Sequence, residues 1–424
     1  MNILVCGARG FIGRHVCAAL EAVGHRVVHG VRSLDAAGQV RIDYETDGTA
    51  EAWLPRLEGI EVVVNAVGIL CESDRATFNA IHRDAPCALF DACERAGVKR
   101  VIQVSALAGL DGQEPAALTP YMRTKREADA HLMQSSLDWV VFRPSLVVGV
   151  DGDSSRLFRS LASLPIIGLP GRGEQLLQPV HVDDLCEAVV RVVTSNAPVR
   201  QVMNLVGPHA MTYREMLAAY RSAMALRPAL WIPVPMSVMR IAASIAAKLP
   251  QRVFAPDTLR MLEDGNTGDP AALAKLLGHA SKGAGAWFSG ISPDMLRADA
   301  IANWMLPLLR LALAVVWLVT GILSLGIYPR EDSLALLAQT GLHGAAATIA
   351  LYGAALLDCA FGIATLVAPG RLLWRAQIAL IVGYTLIITL FLPGQWLHPF
   401  GPVLKNFPIL ALLFVLDASE TRKR

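Results

Sequence analysis

The chain has 424 residues, 54% of them hydrophobic, with 38 basic against 36 acidic side chains, and a mean hydropathy of +0.43. That is too apolar for one ordinary soluble domain and long enough for two or three. The near-balanced charge, with no basic stripe interleaved with aromatics, excludes nucleic acid as an expected partner. The seven cysteines, never spaced as CxxC, argue against a disulfide framework or a metal site and for a reducing compartment.

The first apolar run, residues 2–6, reads as a buried strand and stops at Cys6, short of a secretory signal. It breaks into Gly7-Ala-Arg-Gly10-Phe-Ile-Gly13, after which helical spacing runs to Gly24. Glycines at a strand-to-helix turn let a pyrophosphate approach the main chain, where N–H groups and the helix dipole favour it. The spacing is GxxGxxG, not GxGxxG. A second strand over residues 25–31 ends in "HGVRS". An acidic residue about 20 residues past the glycines would take a ribose 2′-hydroxyl; instead Arg32 and Ser33 stand there, with Arg9 in the glycine loop. Guanidiniums bind phosphate in bidentate fashion, so NADP(H) is favoured and NAD(H) remains open.

Further strands over residues 62–65, 101–105 and 139–143 alternate with helix-length segments, which predicts an α/β fold with a doubly wound parallel sheet. In "TPYMRTKREADAHL", Tyr121 and Lys125 are four apart on one helix face. A neighbouring ammonium is expected to lower the phenol's pKa, making Tyr121 a proton-transfer group, with Ser105 at the preceding strand end to hold a substrate oxygen.

The residues GARGFIG at 7–13, "NAVG" at 65–68, "VSAL" at 104–107, Tyr121-Met-Arg-Thr-Lys125, "FRPSLVVG" at 142–149 and "QPVHVDDL" at 178–185 resemble the short-chain dehydrogenase/reductase (SDR) superfamily, over roughly residues 1–230. The likeness is to the extended and atypical branch that includes the SDR-like accessory subunit of respiratory complex I. It implies a Rossmann-type fold with a small substrate lobe and a catalytic group of Ser105, Tyr121 and Lys125. It also implies a cofactor site of Gly7, Arg9, Gly10, Phe11, Ile12, Gly13, Arg32, Ser33, Asp43, Ala66, Val67, Gly68 and Pro144, with Asp43 near the adenine and Pro144 near the nicotinamide. Some members of that branch bind the nucleotide without established turnover.

Other residues have plainer readings. Asp183 or Asp184 is expected to cap the helix that follows His181, a single cluster too small for a metal. His82 and His131 need no role. Residues 231–249 end in a basic amphipathic stretch, with Met239, Ala242, Ile245 and Leu249 on one side, suited to a membrane surface or to the substrate lobe. The glycine-rich stretch 263–287 is expected to hold the domain linker or to lie just before it.

Beyond it the pattern changes. Residues 304–327 carry one charge, Arg310; residues 343–367 carry one, Asp358; residues 376–392 carry none; residues 400–416 carry Lys405 and two prolines. The first two exceed the roughly 20 residues that span hydrocarbon. The blocks "LRLALAVVWLVTGILSL", "LYGAALLDCAFGIATL" and "LPGQWLHPFGPVLKNFPIL" resemble the DoxX-like family, which implies an all-α four-helix transmembrane bundle. An Asp358 pair with Arg310 or Lys405 is expected inside it.

The expected organisation is an NAD(P)-binding SDR domain (1–230), the rest of the lobe and a linker (231–303), a transmembrane domain (304–417) and a basic cytoplasmic tail (418–424). The expected activity is a membrane-tethered, NADPH-preferring oxidoreductase acting on a small or lipophilic substrate, in a bacterial-type inner membrane, with its catalytic domain cytoplasmic. The alternatives are a nucleotide-sugar epimerase or dehydratase, and a non-catalytic NADPH-binding sensor or assembly protein.

Overall fold

The computed structural model describes residues 1–194, 199–247 and 254–420. The chain divides into two compact units, Met1–Ala300 and a second beginning at Ile301.

The first unit is built on a seven-stranded sheet. Its strands are β1 (Asn2–Cys6), β2 (Arg26–Val31), β3 (Gln39–Arg41), β4 (Val62–Asn65), β5 (Arg100–Val104), β6 (Asp138–Pro144) and β7 (Gln201–Leu205). Their order is β7-β6-β5-β4-β1-β2-β3, and every neighbouring pair is parallel. The central strands are apolar on both faces, as a sheet covered by helices on both sides requires: Ile3, Leu4, Val5, Val63 and Val64 have no exposed surface. One face packs against α1 (Phe11–Ala22) through Val16, Cys17 and Leu20, and against Val182–Thr194. The other packs against α2 (Ala85–Arg95) and α3 (Pro120–Gln134). The chain runs outward from β1 to β3, then returns to place β4 on the other side of β1. That reversal opens a crevice at the carboxyl ends of β1 and β4, where ligands of doubly wound sheets bind.

Several local expectations are revised. The helix after His181 starts at Val182, so Asp183 and Asp184 lie in its first turn and are not caps; Asp184 accepts the main-chain N–H of Lys282 (2.8 Å) and Asp183 its ammonium (2.5 Å). The glycine-rich stretch 263–287 lies inside the first unit, whose boundary at Ala300 falls after it. The Gly109 N–H donates to the Gly265 carbonyl and the Gly109 carbonyl accepts from the Thr267 N–H, Leu273 and Leu277 join the sheet core, and Trp287 and Phe288 join a separate aromatic core with Tyr213 and Tyr220. The helix Met236–Ala246 buries only Ala243 and exposes Val238, Ile241 and Ile245; Lys248 and Leu249 lie outside the described residues.

The second unit is almost wholly helical. Three helical stretches, Pro293–Ile327 (which begins in the first unit), Gly344–Val367 and Arg371–Phe391, are long and apolar enough to cross a membrane; Asn406–Ser419 is apolar but has only 14 residues. Gly321 and Gly362 set the packing of the first two: a Cβ on Gly321 would lie 2.5 Å from Cys359 Sγ, and one on Gly362 would lie 2.6 Å from Leu318. Such close approach is how helices associate in lipid. Gln377, fully buried, accepts from the Trp317 indole (2.9 Å) and donates to Thr365 (2.9 Å). The expected Asp358 pairing is absent. Arg310 instead donates to Glu420 (2.7 Å) and stacks over Trp374, Lys405 is exposed, and Asp358 is buried with no ion-pair partner among the described residues.

Candidate active site

The glycine loop fits a phosphate in three separate ways. Gly7 has φ +82, and a Cβ there would press on Ala66 and Val67 within 3.1–3.3 Å; Gly10 donates to the Gly7 carbonyl (2.8 Å) to close the turn; a Cβ on Gly13 would sit 2.0 Å from that carbonyl oxygen. Gly10 then caps α1 with no side chain, which leaves the helix N-terminus open to an anion. Phe11 seats against Gly149 and Gly152, where Cβ atoms would come within 2.7 and 3.0 Å of its ring. Ile12 follows it, partly buried, at the helix start.

Arg9 and Arg32 reach the turns after β2 and β3, as a 2′-phosphate would require, but neither is free. Arg9 pairs with Asp35, and Arg32 with Glu45 (3.1 Å). Both carboxylates escaped the sequence reading, and Asp35 sits where an acidic residue would take a ribose hydroxyl. Ser33 is exposed beside them. Asp43 lies past β3 and is tied into its own turn, its N–H donating to Asp47 (2.6 Å). Next to it, Tyr44 donates to Asn65 (2.8 Å) and Asn65 to Gln103 (2.8 Å), a buried relay across the ends of β4 and β5.

The loop after β4 joins this cradle to α3. Ala66 and Val67 back Gly7, while a Cβ on Gly68 would lie 3.3 Å from Lys125 Nζ. Thr119 caps α3 by accepting the Met122 N–H (3.3 Å), and Pro120 occupies its first turn, so the helix begins in time to present Tyr121 and Lys125 on one buried face. Lys125 Nζ donates to the Val104 carbonyl (3.1 Å) and lies 6.0 Å from the Tyr121 ring centre. Pro144, buried at the end of β6, accepts the Leu107 N–H (2.8 Å).

The electrostatics differ from expectation. Burial pushes the Tyr121 phenol up to about 12, with Arg126 opposing and Asp129 reinforcing that shift. Burial also lowers Lys125 to about 8, against the pull of Asp129. Desolvation therefore sets the phenol, and the cation that opposes it is Arg126 rather than the expected Lys125 ammonium.

Ser105 is not turned toward an open site. Its hydroxyl donates to Asp129 (2.8 Å) and accepts from Arg126 (3.2 Å). Asp129, fully buried, also faces Arg126 (3.3 Å) and Arg143 (3.4 Å), while Glu114 pairs with both arginines. Burial raises the Asp129 carboxyl and lowers Arg143. This cluster was missed, although Tyr121, Lys125 and Asp129 continue the same four-residue spacing. His82, expected to need no role, has several close neighbours here. It is buried, accepts the Ile69 N–H on Nε2 (3.0 Å), stacks on Phe78, and meets Tyr121 edge to face at 5.0 Å.

A glycine-cradled crevice at the strand reversal, with a tyrosine and lysine on the flanking helix, defines a Rossmann-type nucleotide domain. Residues 3–206 match the NAD dependent epimerase/dehydratase family and residues 314–414 the DoxX-like family; the chain is an SDR-like epimerase/dehydratase domain followed by a DoxX-like membrane domain. Its curated relatives include a ceramide reductase of Caulobacter vibrioides, 27% identical over 54% of this chain and 72% of that protein. Another is the mouse mitochondrial NADH dehydrogenase (ubiquinone) 1 alpha subcomplex subunit 9, 23% identical over 55% of this chain and 64% of that one. An uncharacterized Mycobacterium tuberculosis protein is 26% identical over 58% of this chain, a stretch that spans a quarter of its own length. Among solved structures, MoeE5 in complex with UDP-glucose and NAD is 21% identical, covering 72% of this chain and 98% of that one, with a TM-score of 0.52. UDP-N-acetylglucosamine 4-epimerase from Bacillus cereus is 14% identical, covering 70% and 96%, with a TM-score of 0.53. Both share the fold.

Proposed function

We propose that this chain is a membrane-tethered, nicotinamide-nucleotide-dependent reductase of a small or lipophilic carbonyl compound. The observation that carries this reading is the continuity of Gly7, Val67, Gly68, Lys125 and Tyr121, which neighbour one another in turn, with Lys125 Nζ 6.0 Å from the centre of the Tyr121 ring. The glycine turn and the open N-terminus of α1 would hold the pyrophosphate, and Arg9 and Arg32 would hold a 2′-phosphate after exchanging their carboxylate partners; a nicotinamide bound there would supply hydride chemistry. Tyr121 gives its proton to the substrate oxygen. A phenol raised to about 12 stays protonated at neutral pH, which suits a donor in reduction better than a base in oxidation. Lys125 keeps a cation beside the phenol and offsets the charge left on it. Ser105 can donate to a substrate oxygen only by giving up its bond to Asp129.

A lipophilic substrate accords with the DoxX-like membrane domain and with the ceramide reductase among the relatives. We place the first unit and the C-terminus on the cytoplasmic side of a bacterial-type inner membrane, with four spans. One observation favours the second reading, a nucleotide-binding sensor: Ser105, Arg9 and Arg32 are all engaged within the protein. The experiment that separates them is NADPH and NADH consumption by the full-length protein in nanodiscs, with carbonyl-bearing lipids added. The reductase reading expects Tyr121-dependent consumption; the sensor reading expects binding alone.

A further inference from the structure

Pro86 lies near the start of α2, and a proline inside a helix cannot donate to the carbonyl four residues back and collides with it. That carbonyl belongs to His82. The chain answers by widening: Asn79–Asp84 is a π-helical turn, and the Ala85 N–H reaches back five residues to Ala80. Single π turns are uncommon and recur at functional sites, because they re-aim a side chain.

The side chain set by this turn is His82. Its Nε2 accepts from the Ile69 main chain (3.0 Å), which fixes the ring as the neutral tautomer with the proton on Nδ1. Nδ1 faces the Thr124 hydroxyl at 3.4 Å, and that hydroxyl bonds the Pro120 and Tyr121 carbonyls at 3.1 Å. One face of the ring stacks on Phe78 with centroids 5.3 Å apart, and Tyr121 meets it at an interplanar angle of 86°. A Cβ on Gly68 would find Lys125 Nζ at 3.3 Å and His82 Nε2 at 3.7 Å. A histidine that served only to fill the core would need none of these links. This one ties the loop after β4 to the first turn of the helix that carries the tyrosine and the lysine.

We propose that His82 is a positioning residue: its Nε2 holds the Ala66–Ile69 segment and its ring backs Tyr121, so that the floor of the cofactor site and the proton donor move as one unit. The assignment rests on the reductase reading for its purpose, and on the hydrogen bond to Ile69 for its mechanism.

The test compares His82→Gln with His82→Phe in the full-length protein in nanodiscs. Glutamine can place an amide oxygen where Nε2 lies, whereas phenylalanine keeps the stacking and removes the acceptor. Amide hydrogen exchange of the peptide covering residues 66–70 and the affinity for NADPH are measured for each. The Phe variant should exchange faster in that peptide and bind NADPH about tenfold more weakly, the size of one lost hydrogen bond. The Gln variant should retain both properties within about threefold, as expected where an equivalent acceptor is restored. The assignment is overturned if the Phe variant matches the parent in both measurements, or if the Gln variant is as impaired as the Phe variant. Should the parent bind neither NADPH nor NADH, the reductase reading fails and the assignment fails with it. A parent that binds, with indifferent variants, removes His82 alone.

Discussion

Lys125 Nζ stands 6.0 Å from the centre of the Tyr121 ring, and the phenol beside it is nonetheless pushed up to about 12. Burial of both groups explains the pairing of a raised phenol with an ammonium lowered to about 8. The site is therefore arranged to keep a proton on oxygen, and the following expectations come from that arrangement and its surroundings.

Replacing Tyr121 by Phe removes the proton and leaves the cradle intact. Nucleotide affinity should stay near that of the parent, while turnover falls about 100-fold or more, as for a lost general acid. Steady-state rates and a binding titration on the same preparations check both halves. Unchanged turnover would exclude Tyr121 from the chemistry.

Cofactor choice turns on Arg32 and Asp35. Arg32→Ala should weaken NADPH by about 1.5 kcal/mol, the lower end for a charged hydrogen bond because the side chain is exposed, and leave NADH little changed. Asp35→Asn releases Arg9 and should favour NADPH further. Titrations of both nucleotides against both variants decide it; an Asp35→Asn loss confined to NADH would instead assign that carboxylate to the ribose.

Acid should find His82. Burial lowers its pKa from 6.5 to about 2, so the unfolded chain takes up a proton below pH 6.5 that the folded chain refuses. Stability is therefore full above pH 6.5 and drains as pH falls toward 2, by about 2 kcal/mol at pH 5. His82→Gln should flatten the acid limb of a thermal-midpoint profile. An equally steep limb in that variant would assign the loss to other groups.

The proposed four-span topology has a signature in the basic residues near the spans. It would put Arg297, Arg371, Arg375 and the tail residues Arg422, Lys423 and Arg424, which lie outside the described residues, on one side, against Arg330 and at most Lys405 on the other. With the positive side inward and four crossings, a C-terminal alkaline phosphatase fusion should be inactive and a C-terminal fluorescent protein bright. The opposite pair of results would mean that the Asn406–Ser419 helix does not cross.

Much of the sheet was legible because its signals are local. The buried strands, the glycine turn and the Tyr121–Lys125 spacing each lie within a few residues of chain. The three-residue strand Gln39–Arg41 and the strand Gln201–Leu205 carry too little pattern to be seen alone and exist through their neighbours. The 263–287 stretch reads as linker by composition, yet its glycines permit close main-chain bonding to Gly109 and Gly112. The pKa of Tyr121 was misjudged because spacing shows the ammonium but not the depth of burial. The contacts of His82 are not legible in the sequence for a related reason: its orientation depends on the π-helical turn that precedes Pro86.

The central claim is hydride transfer, and a labelled nucleotide tests it most directly. Full-length protein in nanodiscs is incubated with NADPH deuterated at the nicotinamide C4 position and a bacterial lipid extract, and lipids are then examined by mass spectrometry. The account predicts a deuterated alcohol product formed by the parent and not by Tyr121→Phe. Bound nucleotide with no deuterium in any extract component would contradict it.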